Sequence, residues 1–127
     1  MKLALIVGIG SFLGGISRYL LSMFVQERIP GNFPYGTFAV NLIGCFAIGC
    51  LFGLSEKWQL SLELRLLFVT GLLGGFTTFS AFSAETHYLF KTGHIETGLL
   101  YVISSIGLGV GLTFLGAWIF RYIPPQL

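Results

Sequence analysis

Charge is what this chain has least of. Of its 127 residues, 9% are charged, seven of them Lys or Arg and five Asp or Glu. Soluble domains carry about 25%, so a soluble globular domain is excluded. The net charge of +2 is too small to suggest a nucleic-acid partner or a polybasic membrane anchor. Cysteine is confined to Cys45 and Cys50. Five positions apart on a helix, the two thiols point in different directions and are too far apart to bridge. They read as small buried side chains. No metal-ligand spacing is present, and neither an internal repeat nor a low-complexity tail is found.

What fills the chain instead is apolar. It is 54% hydrophobic, with mean hydropathy +0.85, 13 Phe and 18 Gly. Glycine is more frequent in membrane helices than in soluble ones, and the composition is that of an integral membrane protein. Four apolar segments are readable, at about 3–25, 35–54, 64–90 and 97–120. Each meets the roughly 20 residues needed to cross the hydrocarbon core. The expectation is one all-α, four-helix transmembrane domain spanning residues 1–127. The first run follows Lys2 and extends without a clear cleavage site, so it reads as a retained helix rather than a signal peptide. The loops between segments are short.

Small residues recur four apart: Gly10 and Gly14, Ser11 and Gly15, Gly49 and Gly53, Gly71 and Gly75, Gly107 and Gly111. That spacing lets helix backbones approach closely. Four short helices enclose little space, so a pathway is expected between subunits of a homodimer. The side holding the N-terminus, second loop and C-terminus carries Lys2, Lys57, Arg65 and Arg121. The other carries Arg28 and Lys91, with Arg18 as a third if it counts. The positive-inside preference is therefore weak. Two explanations stand: insertion in both orientations with antiparallel dimerisation, or a modest bias that still suffices.

The most informative stretch runs from Gly71 to Glu85, reading GLLGGFTTFSAFSAE. Glycines that weaken a helix meet threonines that compete for backbone hydrogen bonds. Non-helical backbone at membrane depth is tolerated only where protein buries it or where it lines a cavity. The third segment is therefore expected to break at 74–78 and to build a site there.

Several side chains stand out around that break. Arg18 lies inside the first segment; intramembrane charges are mostly functional or paired, although a long stem can also snorkel. Asn41 lies one turn after Thr37 and serves either as helix glue or as an amide donor to a dehydrated ion. At 100° per residue, Phe79, Phe82, Ser83 and Thr86 share one helical face. Packing against neighbouring helices explains such a face; so does a small anion, because ring edges are the positive part of the aromatic quadrupole. Glu85 points away from this face, toward a basic partner or a wet vestibule. In the fourth segment Tyr101, Ser104 and Ser105 cluster, with Thr113 further along, although Ser and Thr can also bond their own helix. Donors abound on these faces and no carboxylate is evident there, which argues for an anion and against a cation exporter.

These residues carry a resemblance. The chain resembles the fluoride channels of the Fluc (CrcB) family over essentially its full length. The matching runs are GGFTTFSAFS at 74–83, NLIG at 41–44 and GGISR at 14–18. The family's commonest motif has Thr where this chain has Ala81. The resemblance implies an antiparallel, dual-topology homodimer in a prokaryotic plasma membrane, the inner membrane in a Gram-negative cell. It implies a passive channel rather than an enzyme, with two fluoride pores and a structural sodium ion at the dimer centre. Carried over position by position, the sodium would take the backbone carbonyls of Gly74 and Thr77. The pore would use Asn41, Phe79, Phe82, Ser83, Tyr101 and Ser105, with Arg18 and Thr37 beside them. One family track serine falls at Gly109. A small dual-topology, four-helix cation exporter is the rival reading; it would need a carboxylate in its first helix, where this chain has Arg18. A non-transporting assembly subunit is the other.

Overall fold

The structure, a computed structural model, describes residues 1–122, apart from the side chains of residues 56–58. It is all-helical. α1 (Lys2–Arg28) and α2 (Tyr35–Trp58) are continuous. The third span is composite: α3 (Leu62–Arg65), a π-helical stretch (Leu66–Leu73), α4 (Gly74–Phe76) and α5 (Phe79–Lys91). α6 (Ile95–Tyr122) completes the chain. Four spans are long and apolar enough to cross a membrane: Lys2–Arg28, Tyr35–Ser55, Leu62–Lys91 and Ile95–Tyr122.

The third span bends because two residues leave helical geometry. Thr77 (φ −87°, ψ 154°) and Thr78 (φ −147°, ψ 117°) are extended. The interruption is thus narrower than the 74–78 expected, since Gly74, Gly75 and Phe76 are helical. Their glycines serve a different purpose. A Cβ on Gly75 would lie 2.5 Å from the Ser11 carbonyl oxygen, and one on Gly71 would lie 2.9 Å from that of Val7. From the other side, a Cβ on Gly10 would lie 2.5 Å from the Leu67 carbonyl oxygen. α1 and the first half of the third span therefore touch backbone to backbone, as small-residue spacing permits. Before the break, the Gly74 N–H reaches the Val69 carbonyl five residues back as well as that of Gly71, a widened turn of the kind found at functional sites.

α2 and α6 form a second close pair. A Cβ on Gly53 would lie 2.6 Å from the Ala117 carbonyl oxygen, and one on Gly116 would lie 2.5 Å from that of Phe46. Thr113 Oγ1 donates to the Cys45 carbonyl at 3.0 Å, tying the two helices by a polar bond. Val40 and Tyr101 are fully buried, with Phe82 and Leu89 packed nearby. By contrast, a Cβ on Gly15, Gly107 or Gly111 would meet no atom of the described residues within 4 Å. The α6 face bearing Ile103, Ile106, Val110 and Phe114 is exposed.

The turns are determined locally. α5 ends in a Schellman motif: the His94 N–H bonds the Leu89 carbonyl at 2.8 Å and the Gly93 N–H bonds that of Phe90 at 3.2 Å. Gly93 takes the left-handed φ of 84° that the motif requires. At the other connection, Gln26 Oε1 accepts from the Gly36 N–H at 3.1 Å, satisfying one free donor at the start of α2.

Candidate functional site

The break determines where the third span's hydrogen bonds go. The Thr77 N–H still reaches Leu73 O at 2.9 Å, and Thr77 Oγ1 donates to the same oxygen at 3.0 Å. In an unbroken helix the next amide, Thr78 N–H, would close on the Gly74 carbonyl. Here it donates to Asn41 Oδ1 at 2.8 Å, while Asn41 Nδ2 donates to the Thr78 carbonyl at 3.0 Å. One side-chain amide thus bonds both backbone groups of a single residue, the N–H of one peptide and the carbonyl of the next. The Ala81 N–H, which would close on the Thr77 carbonyl, turns instead to Thr78 Oγ1 at 3.1 Å, the N-cap bond of α5. The Gly75 carbonyl is taken by Arg18 Nε at 3.1 Å. The carbonyls of Gly74 and Thr77 therefore lose their helical partners to named groups. Backbone oxygens freed at a broken membrane helix are cation ligands. Among the described residues no cluster of three His, Cys, Asp or Glu could hold a metal ion.

Beside the break lies an open cavity of about 360 Å³, whose walls include Asn41, Gly74, Thr77, Thr78, Phe79, Phe82 and Ser105. Most of the residues singled out in the sequence meet here. Asn41 has a hydrogen left over, because an amide nitrogen carries two and Thr78 takes one. Ser105 Oγ is buried and has no hydrogen-bond partner among the described residues. The Phe79 and Phe82 rings stand 5.5 Å apart at 42°. Phe82 is buried, whereas Phe79 is 78% exposed and closes nothing within one chain. The cavity thus brings two free donors beside two aromatic rings.

A second cavity, of about 430 Å³, is lined by Ser22, Gln26, Asn32, Thr37, Glu85 and Tyr88 among others. Here the structure corrects the sequence reading. Glu85 faces neither a basic partner nor water alone: Thr37 Oγ1 donates to its Oε1 at 2.6 Å and Tyr101 Oη donates to its Oε2 at 2.7 Å. A carboxylate therefore does sit among the donors, and it engages two hydroxyls assigned to the pore. The signal was absent from local spacing, because Thr37 and Glu85 are 48 residues apart. Tyr101 itself is fully buried and lines neither cavity; its ring packs on Phe82 at 5.0 Å and on Phe33 at 5.3 Å.

The remaining candidates stand outside both cavities. Ser83 lies exposed on α5. Arg18 is half-buried, its Nε on the Gly75 carbonyl, so it is neither snorkelling freely nor lining the cavity. Thr86 and Ser104 bond their own helices, to Phe82 O at 2.8 Å and Leu100 O at 2.6 Å. Gly109, where the family track has a serine, is buried.

Comparison with known proteins agrees along nearly the whole chain. The model of the family described as CrcB-like protein, Camphor Resistance (CrcB), matches residues 5–117. A protein of Roseiflexus sp. (strain RS-1) named fluoride-specific ion channel FluC is 48% identical over 119 residues, covering 93% of this chain and 96% of its own length. A protein of the same name from Allorhizobium ampelinum is 45% identical over 126 residues, covering 97% and 99%. One from Clostridium perfringens is 39% identical, covering 97% of both chains.

Proposed function

From the premise that this chain belongs to the CrcB family, a family of channels and not of enzymes, we propose that it is a passive, fluoride-selective channel that lowers cytoplasmic fluoride. The observation that carries the reading is this full-length kinship with proteins named fluoride-specific ion channels. The cavity at the break supports it physically. Fluoride is small and holds water tightly, so a pore must replace that water with fixed donors. The spare Asn41 N–H and the unpartnered Ser105 hydroxyl are such donors. Phe79 and Phe82 line the same cavity, and an aromatic edge, the positive part of the ring quadrupole, would suit a small anion. Hydrogen fluoride enters a cell as the neutral acid and ionises in the more alkaline cytoplasm; a passive pore lets the trapped anion leave.

The working unit in this reading is an antiparallel homodimer with two pores. What supports it is the incompleteness of one chain: Phe79 is open, Gly74 is exposed, and the Gly107–Gly111 face of α6 has no neighbour. Packing two copies through such small-residue faces follows the general rule for membrane helices. A structural sodium ion would be held by the Gly74 and Thr77 carbonyls of both copies. The donor set suits it: neutral, hard oxygens for a monovalent cation, freed by the diversions to Asn41 and Thr78. Bound there, the ion would satisfy carbonyls that otherwise cost stability at membrane depth.

Efflux from sealed vesicles tests the function. Reconstituted protein is expected to release fluoride without a proton gradient and to retain chloride. Equal rates for the two anions would overturn the proposal. Labelling cysteines introduced in the Lys91–Glu96 loop from outside intact cells reads orientation. Both orientations are expected, and one uniform orientation would exclude the antiparallel dimer.

A further inference from the structure

We infer that Asn41 is the positioning residue of the cation site: by taking the Thr78 N–H, its side chain leaves the Gly74 carbonyl free for a metal ion. The inference rests on the sodium reading above and adds to it the group that creates the ligand. Gly74 has no special backbone of its own; as the residue preceding α4's Gly75 it is helical, with φ −64° and ψ −36°. Its carbonyl would be closed by the Thr78 amide if the helix continued. What removes that amide is Asn41 Oδ1 at 2.8 Å, and what steadies the same residue is Asn41 Nδ2 on the Thr78 carbonyl at 3.0 Å.

The Thr78 side chain performs the matching step on the C-terminal side. Its Oγ1 takes the Ala81 N–H at 3.1 Å, so the Thr77 carbonyl is released as well. Thr78 is therefore clamped at N–H, C=O and hydroxyl, and both proposed cation ligands are the carbonyls that the N–H and hydroxyl bonds set free. Asn41 sits on α2 and walls the anion cavity. The same side chain thus joins the two ion sites: one amide hydrogen holds the break and the other faces the pore.

The test reads sodium, not fluoride flux. The purified dimer is titrated from sodium-free N-methylglucamine buffer, and the sodium concentration for half-maximal thermal stabilisation is recorded. Wild type is expected to be stabilised. In Asn41→Ala that concentration rises by at least about tenfold, equivalent to about 1.4 kcal/mol. Asn41→Asp keeps an acceptor for the Thr78 N–H and is expected to retain the wild-type response, although its fluoride flux is lost. Thr78→Ser keeps the cap and the response, whereas Thr78→Val weakens it. If Asn41→Ala does not fold, the Asn41→Asp and Thr78 pairs decide. A wild-type response in Asn41→Ala, or in Thr78→Val together with loss in Asn41→Asp, overturns this inference alone. A wild-type dimer indifferent to sodium overturns the cation reading and the inference together.

Discussion

The two cavities of this chain use the same chemistry to opposite ends. Around Glu85, the hydroxyls of Thr37 and Tyr101 are consumed by a carboxylate within 2.7 Å. Around the break, Ser105 Oγ has no partner among the described residues and Asn41 keeps one hydrogen. Donors on a helix face are therefore not equivalent, and counting them does not locate an anion. What matters is whether a protein acceptor has already claimed them, as both oxygens of Glu85 have. The Phe82 and Tyr101 rings, 5.0 Å apart, form the partition between the two regions.

The largest expected effect falls on that partition and its open neighbour. Phe82→Ile and Phe79→Ile remove ring edges from the donor-rich cavity while conserving apolar character. The swap costs little at the exposed Phe79, and at the buried Phe82 it adds the cost of lost ring volume, so dimer integrity is checked alongside flux. Fluoride efflux should fall severely in both, more than in any single-hydroxyl variant. Unchanged efflux in both would make the rings packing only, and the cavities would differ in nothing but hydrogen bonds.

An intermediate effect is expected in the carboxylate cavity, and it is one of stability. Glu85→Ala leaves two buried hydroxyls without their acceptor, at about 1–3 kcal/mol for each group left unsatisfied. Glu85→Gln keeps an amide oxygen for one of them and should lose about half as much. Thermal unfolding in detergent checks the order. Equal stability of wild type and Glu85→Ala would mean that the two short bonds contribute nothing net, and the contrast between the cavities would collapse.

The helices were legible in the sequence because apolar length is a one-dimensional property. The expected 64–90 and the observed Leu62–Lys91 differ only by end effects. The break was legible in kind but placed too broadly. The glycines of the expected 74–78 break weaken a helix in principle, yet Gly74 and Gly75 are helical, and Gly75 lets Ser11 approach. The interruption belongs to the threonines, because Asn41 and the Thr78 hydroxyl supply bonds that replace helical ones. That exchange joins residues 37 positions apart and has no local signature. The same distance problem hid Glu85, which pairs with Thr37 across 48 positions. Asn41, Phe79, Phe82 and Ser105, chosen from helical spacing and motif, do meet in one cavity. Tyr101 and Thr37, chosen on equal grounds, meet a carboxylate instead.

The smallest expected effect isolates the unclaimed donor itself. Ser105→Ala removes a hydroxyl that bonds no described residue, so folding should change by no more than about 0.5 kcal/mol. Deleting a claimed hydroxyl elsewhere in the pore region, by contrast, would expose its acceptor. If Ser105 donates to the passing anion, the variant loses a hydrogen bond to a charged group, about 1.5–3 kcal/mol. Not all of it reaches the rate, because a donor that holds the ion also slows its exit. The expected outcome is fluoride efflux reduced by about tenfold or less, with thermal unfolding unchanged. Lost stability with wild-type efflux would reverse the assignment: the hydroxyl would be a packing element with a partner, and the spare capacity of the cavity would rest on Asn41 alone.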